Sequence, residues 1–162
     1  MKRPLIGVSA CLLGQATRYD GADATDRWLV RWLHKRGEAL PLCPEVGAGM
    51  PVPRAPIHLV ERGDAIRAVD RATERVDETD RLRGWFDRTL PHLATLDGAI
   101  LKSRSPSCGV DDTPLAGADR TTRGLFAAWL HDRFPRLPLI DEKGLADGER
   151  RDAWWRQVTV RQ

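Results

Sequence analysis

Four short apolar runs, 4–10 (PLIGVSA), 38–42 (EALPL), 97–102 (DGAILK) and 137–140 (LPLI), are each bounded by polar or turn-forming residues. Runs this short suit buried strands better than helices. Between them lie stretches of helical periodicity. Residues 26–36 place Trp28, Leu29, Trp32 and Leu33 on one face, with Asp23 or Thr25 as N-cap and Gly37 as a stop. Residues 79–95 place Leu82, Trp85, Phe86, Leu90 and Leu93 together, and Pro91 predicts a kink. Residues 123–134 carry Leu125, Phe126, Trp129 and Leu130, and residues 147–158 carry Trp154 and Trp155. Strands alternating with helices predict a parallel sheet covered on both faces. The expected fold is a single-domain three-layer α/β/α sandwich over residues 1–162, with a mostly parallel, Rossmann-like sheet. Between residues 50 and 67 the pattern weakens, and 57–60 can add a strand.

The three cysteines fall at telling places on this frame. Cys11 follows the first run, Cys43 follows the second, and Cys108 lies a few residues past the third. In an open parallel sheet the loops after the strands emerge at one carboxyl edge, where ligands bind. Cysteines far apart in sequence therefore meet there without a local CxxC motif. Pro and Gly surround each one, as in Cys43-Pro44-Glu45 and Pro106-Ser107-Cys108-Gly109, and fix the local backbone. An odd number of cysteines argues against a disulfide framework. With neither a secretory leader nor a run of the roughly 20 apolar residues that a membrane span needs, the expected compartment is the reducing cytoplasm.

Three reduced thiolates at one edge admit several chemistries. A structural zinc usually has four protein ligands, which this set does not supply, whereas a catalytic zinc needs three and a water. A soft all-thiolate site also suits an iron–sulfur cluster, which normally takes four cysteines, so that three would leave one iron open. A lone cysteine nucleophile activated by histidine is a further reading; His34, His58, His92 and His131 have no sequence position that favours it.

The loops carry longer motifs. These are SACLLG-x3-RYDG (Ser9 to Gly21), CPEV followed by PxPR (Cys43 to Arg54), and ILKSRSPSCG (Ile100 to Gly109). In these segments, and in order over nearly the whole chain, the sequence resembles the thiouracil desulfidase (TudS-type) family. It departs from the family pattern at Ala48-Gly49-Met50, at His58 and in the segment 110–123. The resemblance implies a [4Fe–4S] cluster on Cys11, Cys43 and Cys108, with the substrate sulfur taken by the open fourth iron. It also implies non-redox conversion of a thiolated pyrimidine to the oxo base and hydrogen sulfide. Longer relatives with an extra domain act on thiouridine in tRNA; this chain has no room for that domain, so a small thiolated base or nucleoside is the expected substrate.

On that basis Glu45, two residues from Cys43, is the expected general base and later acid. Its structural alternative is a turn carboxylate paired with Arg54 or with a helix N-terminus. Ser105 and Ser103 are candidate hydrogen-bond donors to the pyrimidine or the leaving sulfur, or else caps of the Pro106 turn. Lys102 can place positive charge near an anionic cluster, and Arg18, Tyr19 and Asp20 are candidate substrate-binding residues. The excess of 26 basic over 23 acidic residues is small. Arg71, Arg75, Arg81 and Arg83 read as solvated helical faces, with tRNA binding as the alternative partner. A non-catalytic metal-binding module is the remaining alternative.

Overall fold

The computed structural model describes residues 2–162. Its central sheet is built from β1 (Leu5–Ser9), β2 (Glu38–Leu42), β5 (Gly98–Leu101) and β8 (Leu139–Asp141), in the order β2-β1-β5-β8. All three pairings are parallel. The four apolar runs read from the sequence are thus the four strands of this sheet. The strands between them, β3 (Ile57–Arg62), β4 (Ala65–Asp70), β6 (Thr113–Ala116) and β7 (Thr121–Thr122), form a second sheet in the order β4-β3-β6-β7.

The alternation of side chains along each central strand divides the core. Ile6 and Val8 of β1, Ile100 of β5 and Ile140 of β8 face α1 (Arg27–His34), α5 (Glu142–Ala146) and α6 (Gly148–Val160), where Leu29, Leu33, Leu145, Trp154 and Val158 meet them. Leu42, Ala99 and Leu101 point the other way. They pack with Phe86 of α3 (Thr79–Leu93), Phe126 of α4 (Leu125–Arg133), and Ile57 and Leu59 of the second sheet. Helices therefore cover both faces of the parallel sheet. None of them is long and apolar enough to cross a membrane.

Several local expectations are corrected. β2 is an edge strand rather than a buried one: Glu38, Ala39 and Pro41 are exposed and only Leu42 is buried. A proline is tolerated there because the outer side of an edge strand needs no ladder donor. The cap of α1 is Asp26, whose carboxylate accepts from the Leu29 N–H at 2.9 Å, rather than Asp23 or Thr25. Helix α1 buries Leu29 and Leu33, whereas Trp28 lies at its flank, exposed and stacked on Trp32. Helix α3 runs through Pro91 and ends at Leu93, short of Thr95. The second sheet extends well beyond the single strand expected at 57–60.

Candidate functional site

Each strand of the parallel sheet delivers one chemically distinctive residue at its carboxyl end. After β1 the chain enters a 3-10 turn (Ala10–Leu13) that buries Cys11 and is closed by Gly14 at φ 100°. After β2, Cys43 is the N-cap residue of a single helical turn, α2 (Pro44–Gly47), with Pro44 at its first position and Glu45 at its second. After β5, residues 102–109 form a loop that ends on buried Cys108 and Gly109. After β8 comes Glu142, first residue of α5. All three cysteines are free thiols.

The third loop is fixed from two directions. The Ser105 hydroxyl accepts from the N–H groups of Ser107 (3.2 Å) and Cys108 (3.0 Å). From the other side, the N-terminus of α4 donates into the loop: the Leu125 N–H to the Pro106 carbonyl at 3.0 Å and the Phe126 N–H to the Ser107 carbonyl at 2.8 Å. Amides that would otherwise lack partners at a helix start thus hold the loop that carries Cys108. Gly124 permits this approach, since a Cβ there would lie 2.5 Å from the Ser107 backbone.

The three thiols open onto one cavity of about 360 Å³, in the range of small-molecule sites. Glu45, Lys102, Ser103 and Ser105 form part of its wall, and Arg18, Tyr19 and Arg71 also line it. Glu45 bridges two loops. Its Oε1 accepts from Arg54 Nε and its Oε2 from the Ser107 hydroxyl, both at 3.1 Å. Arg54 is almost fully buried and donates also to the carbonyls of Thr17 (2.8 Å) and Pro51 (3.2 Å). One guanidinium thereby ties the Cys11 and Cys43 loops together.

Off the cavity lining, Glu142 accepts three hydrogen bonds, from Lys102 Nζ (2.9 Å), the Ser103 N–H (2.8 Å) and the Ser103 hydroxyl (2.7 Å). Burial alone would raise its pKa, but the hydrogen bonds from Ser103 and Lys102 outweigh that and hold the carboxyl below its usual value.

Two of the thiols, Cys108 and Cys11, are poor acids in this setting. Burial pushes Cys108 far up, only partly offset by a hydrogen bond from Ser9, and the neighbouring Cys43 and Cys11 push in the same direction. Burial also raises Cys11, with Lys102 pulling it back. Such thiols stay protonated until a cation displaces the protons.

The donor chemistry bears on which metal group fits. Three thiols from three strand ends make an all-sulfur donor set without a fourth protein ligand, which suits a multinuclear iron–sulfur group whose thiolate ligands are spread over several metal atoms.

Comparison with known proteins places this geometry. Residues 6–142 match the family model of 2-thiouracil desulfurase. The chain belongs to the 2-thiouracil desulfurase family. The solved structure of the [4Fe-4S]-dependent thiouracil desulfidase TudS is similar to it, with a TM-score of 0.66 and 31% identity over 90% of this chain and 94% of that one. The uncharacterized protein YbbK of Bacillus subtilis (strain 168) is 30% identical over 154 residues, which is 88% of this chain and 99% of the relative.

In this desulfurase the structure brings nine of the ten residues singled out from the sequence to one cavity: Cys11, Cys43, Cys108, Glu45, Ser103, Ser105, Lys102, Arg18 and Tyr19. Asp20 is the tenth. It is exposed, lies outside the lining and accepts from the Ala22 N–H in its own turn. His58, one of the departures from the family pattern, sits on β3 and pairs with Glu74 at 2.8 Å, away from the cavity. Met50, another departure, is buried in the core.

Sequence reasoning did not find Glu142 or Ser107, and it read Arg71 as part of a solvated helical face, whereas Arg71 sits in the turn after β4 and lines the cavity. Arg54 entered it only as a partner for Glu45. Glu142 had one signal, its place two residues after the fourth apolar run, at the same sheet edge as the cysteines.

Proposed function

We propose that this chain hydrolyses a thiolated pyrimidine to the corresponding oxo-pyrimidine and hydrogen sulfide, with a [4Fe–4S] cluster held by Cys11, Cys43 and Cys108. The observation that carries the reading is the convergence of three free thiols from three strand ends on one cavity whose wall includes an ion-paired glutamate. Family membership and the likeness to a [4Fe-4S]-dependent desulfidase support it. When bound, the cluster supplies a thiophilic Lewis acid that draws electron density from the thiocarbonyl group.

The rest of the chemistry falls to the chain. Water contributes its oxygen to the ring carbon: a C–O bond forms, the C–S bond breaks, both protons of the water end on sulfur, and no electrons are exchanged. Glu45 is suited to take the first proton and return it to the leaving sulfur, because Arg54 and Ser107 fix both its oxygens at the cavity wall. Ser105 is the better placed of the two serines to donate to the substrate. Its oxygen accepts from two backbone amides and its proton remains free to donate, whereas the Ser103 proton is committed to Glu142. Lys102, Arg18 and Arg71 place positive charge around a cavity that is to hold three thiolates, and Tyr19 offers an aromatic wall for a planar ring. Three free thiols need a compartment that keeps them reduced, which the cytoplasm provides.

The test is anaerobic reconstitution with iron and sulfide. The reading expects a brown protein with about four irons per chain, and loss of the chromophore when Cys11, Cys43 or Cys108 is changed to Ser. A wild-type chain that stays colourless, or that keeps its iron without all three cysteines, would overturn it.

A further inference from the structure

Glu142 has no counterpart in the chemistry described so far, yet it is among the most heavily bonded carboxylates at the site. It arises where β8 gives way to α5, with Asp141 capping that helix through a 2.7 Å hydrogen bond from the Gly144 N–H. This start turns the Glu142 side chain toward the neighbouring β5 loop. Its side chain is 16% exposed and accepts hydrogen bonds from Lys102 and, twice, from Ser103, all at 2.9 Å or less.

Both partners line the cavity, whereas Glu142 does not. An unrestrained lysine at a strand end would extend its ammonium into water, where most of its charge is screened. Here the ammonium is held back, bonded also to the carbonyl and hydroxyl oxygens of Ser103 at 3.3 Å. The backbone N–H of Lys102 in turn donates to the Ser9 hydroxyl at 2.8 Å, next to the Cys11 turn.

We propose that Glu142 is a positioning residue, which holds the Lys102 ammonium and the Ser103 turn against the cavity so that this fixed cation offsets the negative charge of the three thiolates and the group they bind. Glu142 acts on the site only through Lys102 and Ser103, and touches neither substrate nor metal. The inference rests on the cluster reading above.

Two predictions separate it from a purely structural staple between α5 and the β5 loop. First, loss of the cluster to a chelator accelerates about tenfold in Glu142→Gln and to a similar degree in Lys102→Met, and the double variant is no faster than either. Second, kcat for the desulfuration falls about tenfold in both single variants while KM changes little, because the pair holds charge near the reacting centre and does not grip the ring.

The experiment measures iron per chain, chelator-induced decay of the visible spectrum and steady-state kinetics for the wild type, the two single variants and the double variant. The melting temperature of each metal-free protein is measured alongside. Non-additive decay with intact melting supports the proposal. Decay rates that multiply in the double variant, or that simply follow a fall in melting temperature, overturn it, as does a Glu142→Gln protein with wild-type decay and kcat. Failure of the wild type itself to take up iron strikes the cluster reading instead, and the two failures are told apart by that control.

Discussion

Replacing Arg54 with Met tests how the Cys11 and Cys43 loops are joined. The arginine side chain is 5% exposed and Glu45 is 13% exposed, so the pair is largely removed from water. Arg54→Met keeps most of the bulk but deletes the hydrogen bonds to Glu45, Thr17 and Pro51 and leaves a carboxylate without its countercharge. Breaking a buried pair on one side costs about 3 kcal/mol at the low end of the usual range, which is apt because Glu45 keeps Ser107. Glu45→Gln is milder, about 2 kcal/mol, since a neutral oxygen still accepts from Arg54 and the guanidinium keeps its two carbonyls. The two losses share one interaction, so the double variant should lose about 3 rather than about 5 kcal/mol, a coupling of about 2 kcal/mol. Urea unfolding of the metal-free proteins, followed by circular dichroism, reads this directly. With a slope of about 2 kcal/mol per molar, Arg54→Met lowers the midpoint by about 1.5 M. Single-variant losses that add to within about 0.5 kcal/mol would refute the buried-pair argument.

Other perturbations report on the remaining contacts at the site and in the second sheet. Gly124→Ala should destabilise the protein by about 1–3 kcal/mol and lower iron uptake, because the new Cβ meets Ser107 backbone rather than a movable side chain; urea unfolding and iron analysis of the variant check this. Ser105→Ala should reduce kcat more than Ser103→Ala does, given that the Ser103 proton is already donated to Glu142; equal effects in steady-state assays would remove the distinction. In the second sheet, hydrogen bonds from the Val76 and Thr73 amides and the Thr73 hydroxyl hold Asp70 at about 2, below its ordinary 3.8. Its contribution is therefore fully present above about pH 4 and lost as pH falls through about 2. Acid titration of stability should show a shallower decline between these values in Asp70→Asn than in the wild type.

Much of the frame was legible because it depends on local pattern. The four central strands are short apolar runs, and their shared direction follows from the helices between them, so the sequence alone brings Cys11, Cys43 and Cys108 to one edge. The second sheet was less legible for a physical reason. β4 reads AIRAVD, with Arg67 in its middle bound to Asp77, and β6 and β7 are four and two residues long, so neither apolar run nor alternation marks them. Trp28 was placed on the buried face of α1 by periodicity, but only Leu29 and Leu33 point squarely at the sheet and the wide indole is left at the margin. Ser107 and Arg71 reach the cavity through tertiary packing of α4 and of the turn after β4, and no spacing within the sequence encodes those approaches, whereas Glu142 was marked only by its place after the fourth apolar run.

If the chain acts as proposed, sulfur leaves by hydrolysis without net redox change. The most direct test of this reading is the parallel measurement of hydrogen sulfide and uracil formed from 4-thiouracil by the anaerobically reconstituted protein, with no reductant or oxidant added. The two products should form in equal amounts over many turnovers, and be lost in Glu45→Gln with the cluster retained. Cluster-loaded protein that releases no sulfide, or that does so only when an electron donor is supplied, would contradict it.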